Sequence, residues 1–222
     1  MIGSKENQAT EHDLRLLDEF RRSFSAAYEG VIETITKQLK LQPTGRPAKS
    51  TTSISEKLNR ESIRLTQIQD IAGCRIIVSD IREQERVVSE LIRVFASTKV
   101  VDRRASPSHG YRAVHVIVNA DGTLIEIQVR TSLQHLWAEC SEKVSDVVDP
   151  DIKYGSGDEK VRSTLINMSG IVAKIERFEQ IPTVPPDIVN EIRSLRDNMI
   201  EIFRKLIRHA EQMPEAGHDI SD

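Results

Sequence analysis

Glu126, Gln128 and Arg130 follow one another at two-residue intervals in the stretch LIEIQVRT. In a strand, that spacing puts a carboxylate, an amide and a guanidinium on one face beside Leu124, and Ile125, Ile127 and Val129 on the other. The apolar face reads as core. The charged face either lies in water or lines a site, because an ionised group taken out of water without a partner is costly. A second acid, Asp70, precedes the apolar run Ile76, Ile77 and Val78. On neighbouring strands, Asp70 and Glu126 would supply the oxygen ligands that Mg²⁺ takes alongside substrate phosphates; Asp70 by itself fits a turn cap equally well.

Cations complement these acids. Between residues 46 and 64, Arg46, Lys49, Lys57, Arg60 and Arg64 face only Glu56 and Glu61, a local charge of +3 in a chain of formal charge -3. Lys57 follows Ser53 by one helical turn, so a hydroxyl, an ammonium and the free N–H groups of a helix start can converge on phosphate. A Walker loop GxxxxGK[ST] is absent, and the same charges also suit a solvated helix face. In SPSHGYRAVH, Tyr111 sits beside Gly110 and is flanked by His109, Arg112 and His115. It is placed either to fill an interface or to stack on a nucleobase, an interaction worth roughly 1–3 kcal/mol per base.

The elements that must position these groups follow from periodicity. Helical spacing runs from Glu11 to Leu41, with Gly30 the expected point of any interruption, and a second helix starts near Thr52 or Ser53, with Glu56 at capping-box distance from Ser53. Ile76–Val78 reads as a strand buried on both faces, and residues 81–95 as a helix. A short strand over 99–105 precedes strands at 112–119 and 123–130, the last two joined by the hairpin signal Asp121-Gly122. Helices are expected at 131–147, 158–179 and 186–213. This alternation, with a hairpin inside it, predicts an α/β (α+β) fold: a mixed sheet flanked by helices, with an N-terminal helix and a C-terminal helical pair. The expected organisation is an N-terminal helical segment over 1–42, a core over 43–148 and a helical extension over 149–222.

Composition narrows the function classes. The net charge of -3 gives no global field to attract DNA, so any phosphate site must be local. Cys74 and Cys140 are too few for a disulfide framework and read as small buried fillers, while His135 and Trp137 read as packing groups. No apolar run approaches the roughly 20 residues that span a bilayer, so a cytoplasmic setting without membrane association is expected.

Four stretches in order, GRPAKSTTSISEKL, QDIAGCRIIV, SHGYRAVHV and IEIQVRTSLQHLWAE, resemble the synthetase domain of the RelA/SpoT family, which makes the alarmones (p)ppGpp. The resemblance covers about residues 43–148. It implies a sheet of nucleotidyltransferase type and an Mg²⁺-dependent GTP pyrophosphokinase that moves pyrophosphate from ATP to the 3′-hydroxyl of GTP or GDP. Arg46 and Arg75 would sandwich adenine; Lys49, Ser53 and Lys57 would hold the phosphates. Asp70 would bind the metal, and Glu126 would share it or take the hydroxyl proton. Tyr111 would stack on guanine, helped by His115, Gln128 and Arg130, while Glu139 matches a family glutamate in the following helix.

Three departures are visible. Arg46 and Lys49 stand three residues apart where many relatives have two. VVDRRASPS replaces a lysine-containing stretch, leaving Arg103 or Arg104, with nearby Arg112, as further site residues. His109 stands where asparagine or serine is frequent. The expected architecture is a small stand-alone synthetase without hydrolysis of its product, and self-association into a homo-oligomer accords with the resemblance. Two alternatives differ in class: a toxin-type relative that pyrophosphorylates the 3′ end of tRNA or acts on adenine nucleotides, and a non-catalytic nucleotide sensor. The first would draw on basic residues of the terminal helices such as Lys160, Arg162, Arg193, Arg204, Lys205 and Arg208. The presence of both Asp70 and Glu126 argues against the second.

Overall fold

The computed structural model describes residues 10–61 and 63–213. Helices α1 (Glu11–Arg22) and α2 (Ser25–Lys37) lead into strand β1 (Thr44–Arg46) and helix α3 (Thr51–Glu61). Strand β2 (Ala72–Val78), helix α4 (Ile81–Val94) and strands β3 (Thr98–Asp102), β4 (Val114–Ala120) and β5 (Thr123–Thr131) follow. Helices α5 (Ser132–Val148), α6 (Glu159–Glu179) and α7 (Pro186–Glu211) end the described chain, with a 3-10 turn over Pro150–Tyr154. Among the described residues the strands form one five-stranded mixed sheet in the order β1-β2-β5-β4-β3, flanked by helices. None of the described helices is long and apolar enough to cross a membrane.

Several elements differ from their sequence reading. The first helix breaks at Ser23 and Phe24, not at Gly30: the Ser23 hydroxyl donates back to the Phe20 carbonyl at 2.7 Å and Phe24 turns inward to 8% exposure. Gly30 stays inside α2, where nothing lies within 4 Å of a Cβ placed on it. The cap of α3 is Ser50, whose Oγ accepts from Ser53 N at 3.1 Å, so Ser53 already lies within the helix. β1 has no apolar signal, all three of its residues being exposed. It exists through pairing: Thr44, Gly45 and Arg46 run antiparallel to Arg75, Cys74 and Gly73. β2 is buried on one face only, with Ile77 44% exposed between Ile76 and Val78.

The hairpin turn is as read. Asp121 and Gly122 both take positive φ, 51° and 87°, as a type I′ turn requires, and Gly122 N donates to Asn119 Oδ1 at 2.8 Å. β5 ends in a capping box in which Thr131 and Gln134 cap α5 reciprocally.

The chain divides into two compact units, neither of them a single stretch of sequence. The first comprises residues up to Ile76 with Leu91–Lys99 and Val116–Gln128. Its buried residues include Val31 and Ile35 of α2, Ile54 of α3, Cys74 and Ile76 of β2, and Ile125 and Ile127 of β5. The second comprises Ile77–Glu90, Val100–His115 and the described chain from Val129 onward. Its core joins Leu133, Trp137 and Cys140 of α5 to Leu165, Val172 and Ile175 of α6 and Met199, Phe203 and Ile207 of α7. Trp137 anchors it: the indole N–H donates to the Leu165 carbonyl at 2.8 Å, and a Cβ on Gly110 would come within 2.7 Å of the ring.

Candidate functional site

In the first unit, two glycines bring three backbones close together. A Cβ on Gly45 would lie 2.5 Å from the Gly73 carbonyl oxygen, and one on Gly73 would lie 2.6 Å from the Glu126 carbonyl oxygen. Gly73 is therefore the point at which β2 packs on β5 beside Glu126, three residues beyond Asp70. Such approach leaves no room for a side chain.

Asp70 sits just before β2 with its carboxylate between two ammonium groups. Lys57 Nζ of α3 lies 2.9 Å from Asp70 Oδ1, and Lys49 Nζ pairs with Oδ2. All three side chains are only about one-fifth exposed. Burial pushes the Asp70 carboxyl up, but hydrogen bonds and charge from Lys49 and Lys57 outweigh it and hold the group below the usual carboxylate range. Lys49 is fixed through its own backbone, whose N–H donates to the Ile71 carbonyl at 2.7 Å. Arg21 of α1 braces the same loop by donating to the Lys49 carbonyl and, at 3.2 Å, to Thr51 Oγ1. Sequence reading missed Arg21, which carries no motif and is found only through the chain it touches.

Glu126 and Gln128 lie on the partly buried face of β5, opposite Ile125, Ile127 and Val129, all 0% exposed. Gln128 Nε2 donates to Glu126 Oε2 at 2.7 Å, which orients the carboxylate. Arg75 lies on β2 opposite Thr44, Arg46 lies on exposed β1 opposite Gly73, and Ser53 Oγ sits 2.8 Å from Ser50 Oγ. Among the described residues no three His, Cys, Asp or Glu side chains form a metal cage. Asp70 and Glu126 instead offer one carboxylate each. Carboxylate oxygen is the donor type that Mg²⁺ takes, through one or two such groups, with water and substrate phosphates completing its shell.

In the second unit, the Tyr111 hydroxyl lies 2.9 Å from His115 Nε2 and accepts from Arg130 Nη2 at 2.9 Å. The Arg130 guanidinium carbon stands 4.9 Å from the Tyr111 ring centroid, and the His115 ring meets the tyrosine edge to face at 5.6 Å. Arg112 reaches Ser169 Oγ at 3.1 Å and the Arg104 carbonyl at 2.5 Å. Arg104 is tied to Asp102 at 2.7 Å, while the Arg103 backbone N–H donates to the Ala113 carbonyl at 2.9 Å. His135 Nε2 lies 3.8 Å from Glu139 Oε2, one turn along α5. His109 adopts a positive φ of 50°, uncommon outside glycine, and its imidazole occupies the space in which a side chain on Gly155 would stand.

A mixed-sheet α+β fold with acids at Asp70 and Glu126 and cations from a loop and helix α3 is the class these features define. Residues 45–145 match the family described as the region found in RelA/SpoT proteins. The fold is similar to small alarmone synthetase 1 from Bacillus subtilis bound to its product pppGpp, with TM-score 0.57 and 25% identity over 81% of this chain and 98% of that one. A Streptococcus mutans structure, smu.1046c, aligns with TM-score 0.52 and 27% identity over 86% and 98% of the two chains. Among curated relatives, an uncharacterized protein of Mycobacterium tuberculosis is 37% identical over 123 residues, 54% of this chain and 45% of the relative. The probable GTP diphosphokinase RSH3 of Arabidopsis thaliana is 32% identical over 95 residues, 41% of this chain and 13% of the relative. The matched part is thus less than half the length of either relative.

Proposed function

We propose that the chain is a GTP pyrophosphokinase that transfers the β,γ-pyrophosphate of ATP to the 3′-hydroxyl of GTP or GDP, making (p)ppGpp. The observation that carries this reading is the Asp70 carboxylate held between Lys49 and Lys57 within a RelA/SpoT region. Two ammonium groups paired with one carboxylate are groups that phosphate, for the lysines, and a metal ion, for the acid, would re-partner. Arg46 and Arg75 bracket the adenine, and Lys49, Ser53 and Lys57 take the phosphates.

Asp70 and Glu126 would hold Mg²⁺, which would offset charge on the transferred phosphates. Glu126, oriented by Gln128, accepts the proton of the attacking 3′-hydroxyl. The new bond joins that oxygen to the β-phosphorus as the bond to the α,β-bridging oxygen breaks, and AMP leaves. Such transfer depends on in-line positioning and charge neutralisation more than on covalent help, which matches a set of cations, acids and one base. Tyr111, with His115 and Arg130, receives the guanine of the acceptor. The cytoplasm, where ATP and GTP are abundant, is the setting this reading assigns.

Purified protein with Mg²⁺ and γ-labelled ATP, offered GDP, GTP, ATP or deacylated tRNA in separate reactions, tests the proposal. Label is expected on GDP and GTP. Label on tRNA or on the adenine nucleotide alone would replace the acceptor, and label on none would favour a nucleotide sensor.

A further inference from the structure

The second unit contains a buried polar chain that the transfer reaction above does not use. Glu176 of α6 is 4% exposed, Gln134 of α5 is 1% exposed and Gln84 of α4 is 0% exposed. Glu176 Oε1 accepts from the Thr131 hydroxyl, and its Oε2 accepts from Gln134 Nε2 at 3.0 Å. Gln134 Oε1 accepts from Gln84 Nε2 at 2.9 Å and from Thr131 N at 3.3 Å. Gln84 Nε2 also donates to the Val129 carbonyl at 2.7 Å. Hydrogen bonds that start on α4 and α6 therefore grip the residue on either side of Arg130.

The direction of this chain is fixed. Each glutamine turns its NH₂ toward oxygens, so the last member must accept from Gln134, and Glu176 does so with one oxygen while the other accepts from the Thr131 hydroxyl. The charged groups facing it are Arg104, Arg196 and Glu179. A helix packed for stability alone would place an apolar side chain here, because a buried carboxylate is costly to desolvate. Arg130 is the residue whose place this arrangement fixes, and it bonds to and covers Tyr111.

We infer that Glu176 is a positioning residue: through Thr131, and through Gln134 and Gln84 to the Val129 carbonyl, it sets the Arg130–Tyr111 clamp and hence the affinity for the acceptor nucleotide. The inference rests on the assignment of the acceptor to Tyr111. Glu176 lies beyond residues 45–145, so acceptor binding by the RelA/SpoT region is tuned from a helix outside it.

The test compares full-length wild type with Glu176→Leu and Glu176→Gln by steady-state kinetics and by hydrogen exchange over β5 and the start of α5. Leucine should raise KM for the acceptor about tenfold or more, the scale of a small misplacement, and leave KM for ATP unchanged. Exchange should quicken around Val129–Thr131. Glutamine, which accepts from Gln134 with its carbonyl and donates to Thr131 Oγ1, should restore both readouts. Should Glu176→Leu not fold, Gln84→Met removes the bond to the Val129 carbonyl and should raise acceptor KM in the same selective way. An unchanged acceptor KM, or KM values for both substrates rising together with exchange quickened throughout the helical core, overturns the inference. Absence of transfer in wild type would remove the proposed function, whereas unchanged exchange at Val129–Thr131 in Glu176→Leu sinks the positioning role by itself.

Discussion

The two units hold their candidate site side chains by different physics. In the first, Asp70 is gripped by charge, with Lys49 and Lys57 on its two oxygens. In the second, Tyr111, His115 and Arg130 are held by hydrogen bonds and ring contacts, and the buried acid behind them, Glu176, touches a hydroxyl and an amide. The two acids respond oppositely. Burial pushes both up; the lysines reverse this for Asp70, while the bonds to Thr131 and Gln134 leave Glu176 above the usual carboxylate range. A charge cluster can exchange partners when phosphate arrives, because each ammonium trades one anion for another. A hydrogen-bonded clamp with buried supports keeps a preset shape, which suits recognition of a planar base.

Breaking the supports of the second unit should have the largest effect. Trp137→Ala should cost about 3–5 kcal/mol of stability, read as a lowered Tm, because it empties the core beside Gly110. Breaking the charge cluster should leave the fold intact and remove activity: Asp70→Asn and Glu126→Gln should each lower transfer about 100-fold or more, with unchanged circular dichroism. Near-normal turnover in either variant would remove that residue from the mechanism. Tyr111→Leu should weaken acceptor binding by about 1–3 kcal/mol and spare ATP, as acceptor and donor KM values would report.

The smallest effect sharpens the contrast through pH. The depressed Asp70 carboxyl binds fewer protons in the folded than in the unfolded chain, so its stabilisation is present above the ordinary value of 3.8 and is lost as pH falls through the lower folded value. Glu176, raised above its ordinary 4.5, works the other way: its contribution to stability declines as pH rises through the window above that value. Denaturant midpoints against pH should show a shallower acid-side slope in Asp70→Asn, and in Glu176→Gln a weaker decline above the ordinary carboxylate value. Profiles identical to wild type would contradict the assigned environments.

Much of this was legible in the chain because it rests on local rules. Alternation in LIEIQVRT separates Ile125, Ile127 and Val129 from Glu126 and Gln128, and Asp121-Gly122 marks its own turn. What stayed hidden depends on partners distant in sequence. β1 has no apolar pattern and exists by pairing with β2 at Gly73–Arg75. Glu176 reads as one more charged position on an amphipathic helix until Thr131 and Gln134 are brought to it. Arg21 becomes meaningful only where it meets the Lys49 carbonyl. The break at Ser23 was obscured because Gly30 is the stronger helix breaker by propensity, while the side chain that bonds back to the ladder belongs to Ser23.

The most direct measurement is the adenine product released per acceptor modified, followed by chromatography with ATP, GDP and Mg²⁺. Transfer of an intact pyrophosphate unit requires one AMP for each guanosine nucleotide that gains a 3′-diphosphate, with both falling together in Asp70→Asn. Release of ADP, or AMP formed without a modified acceptor, would contradict the assignment.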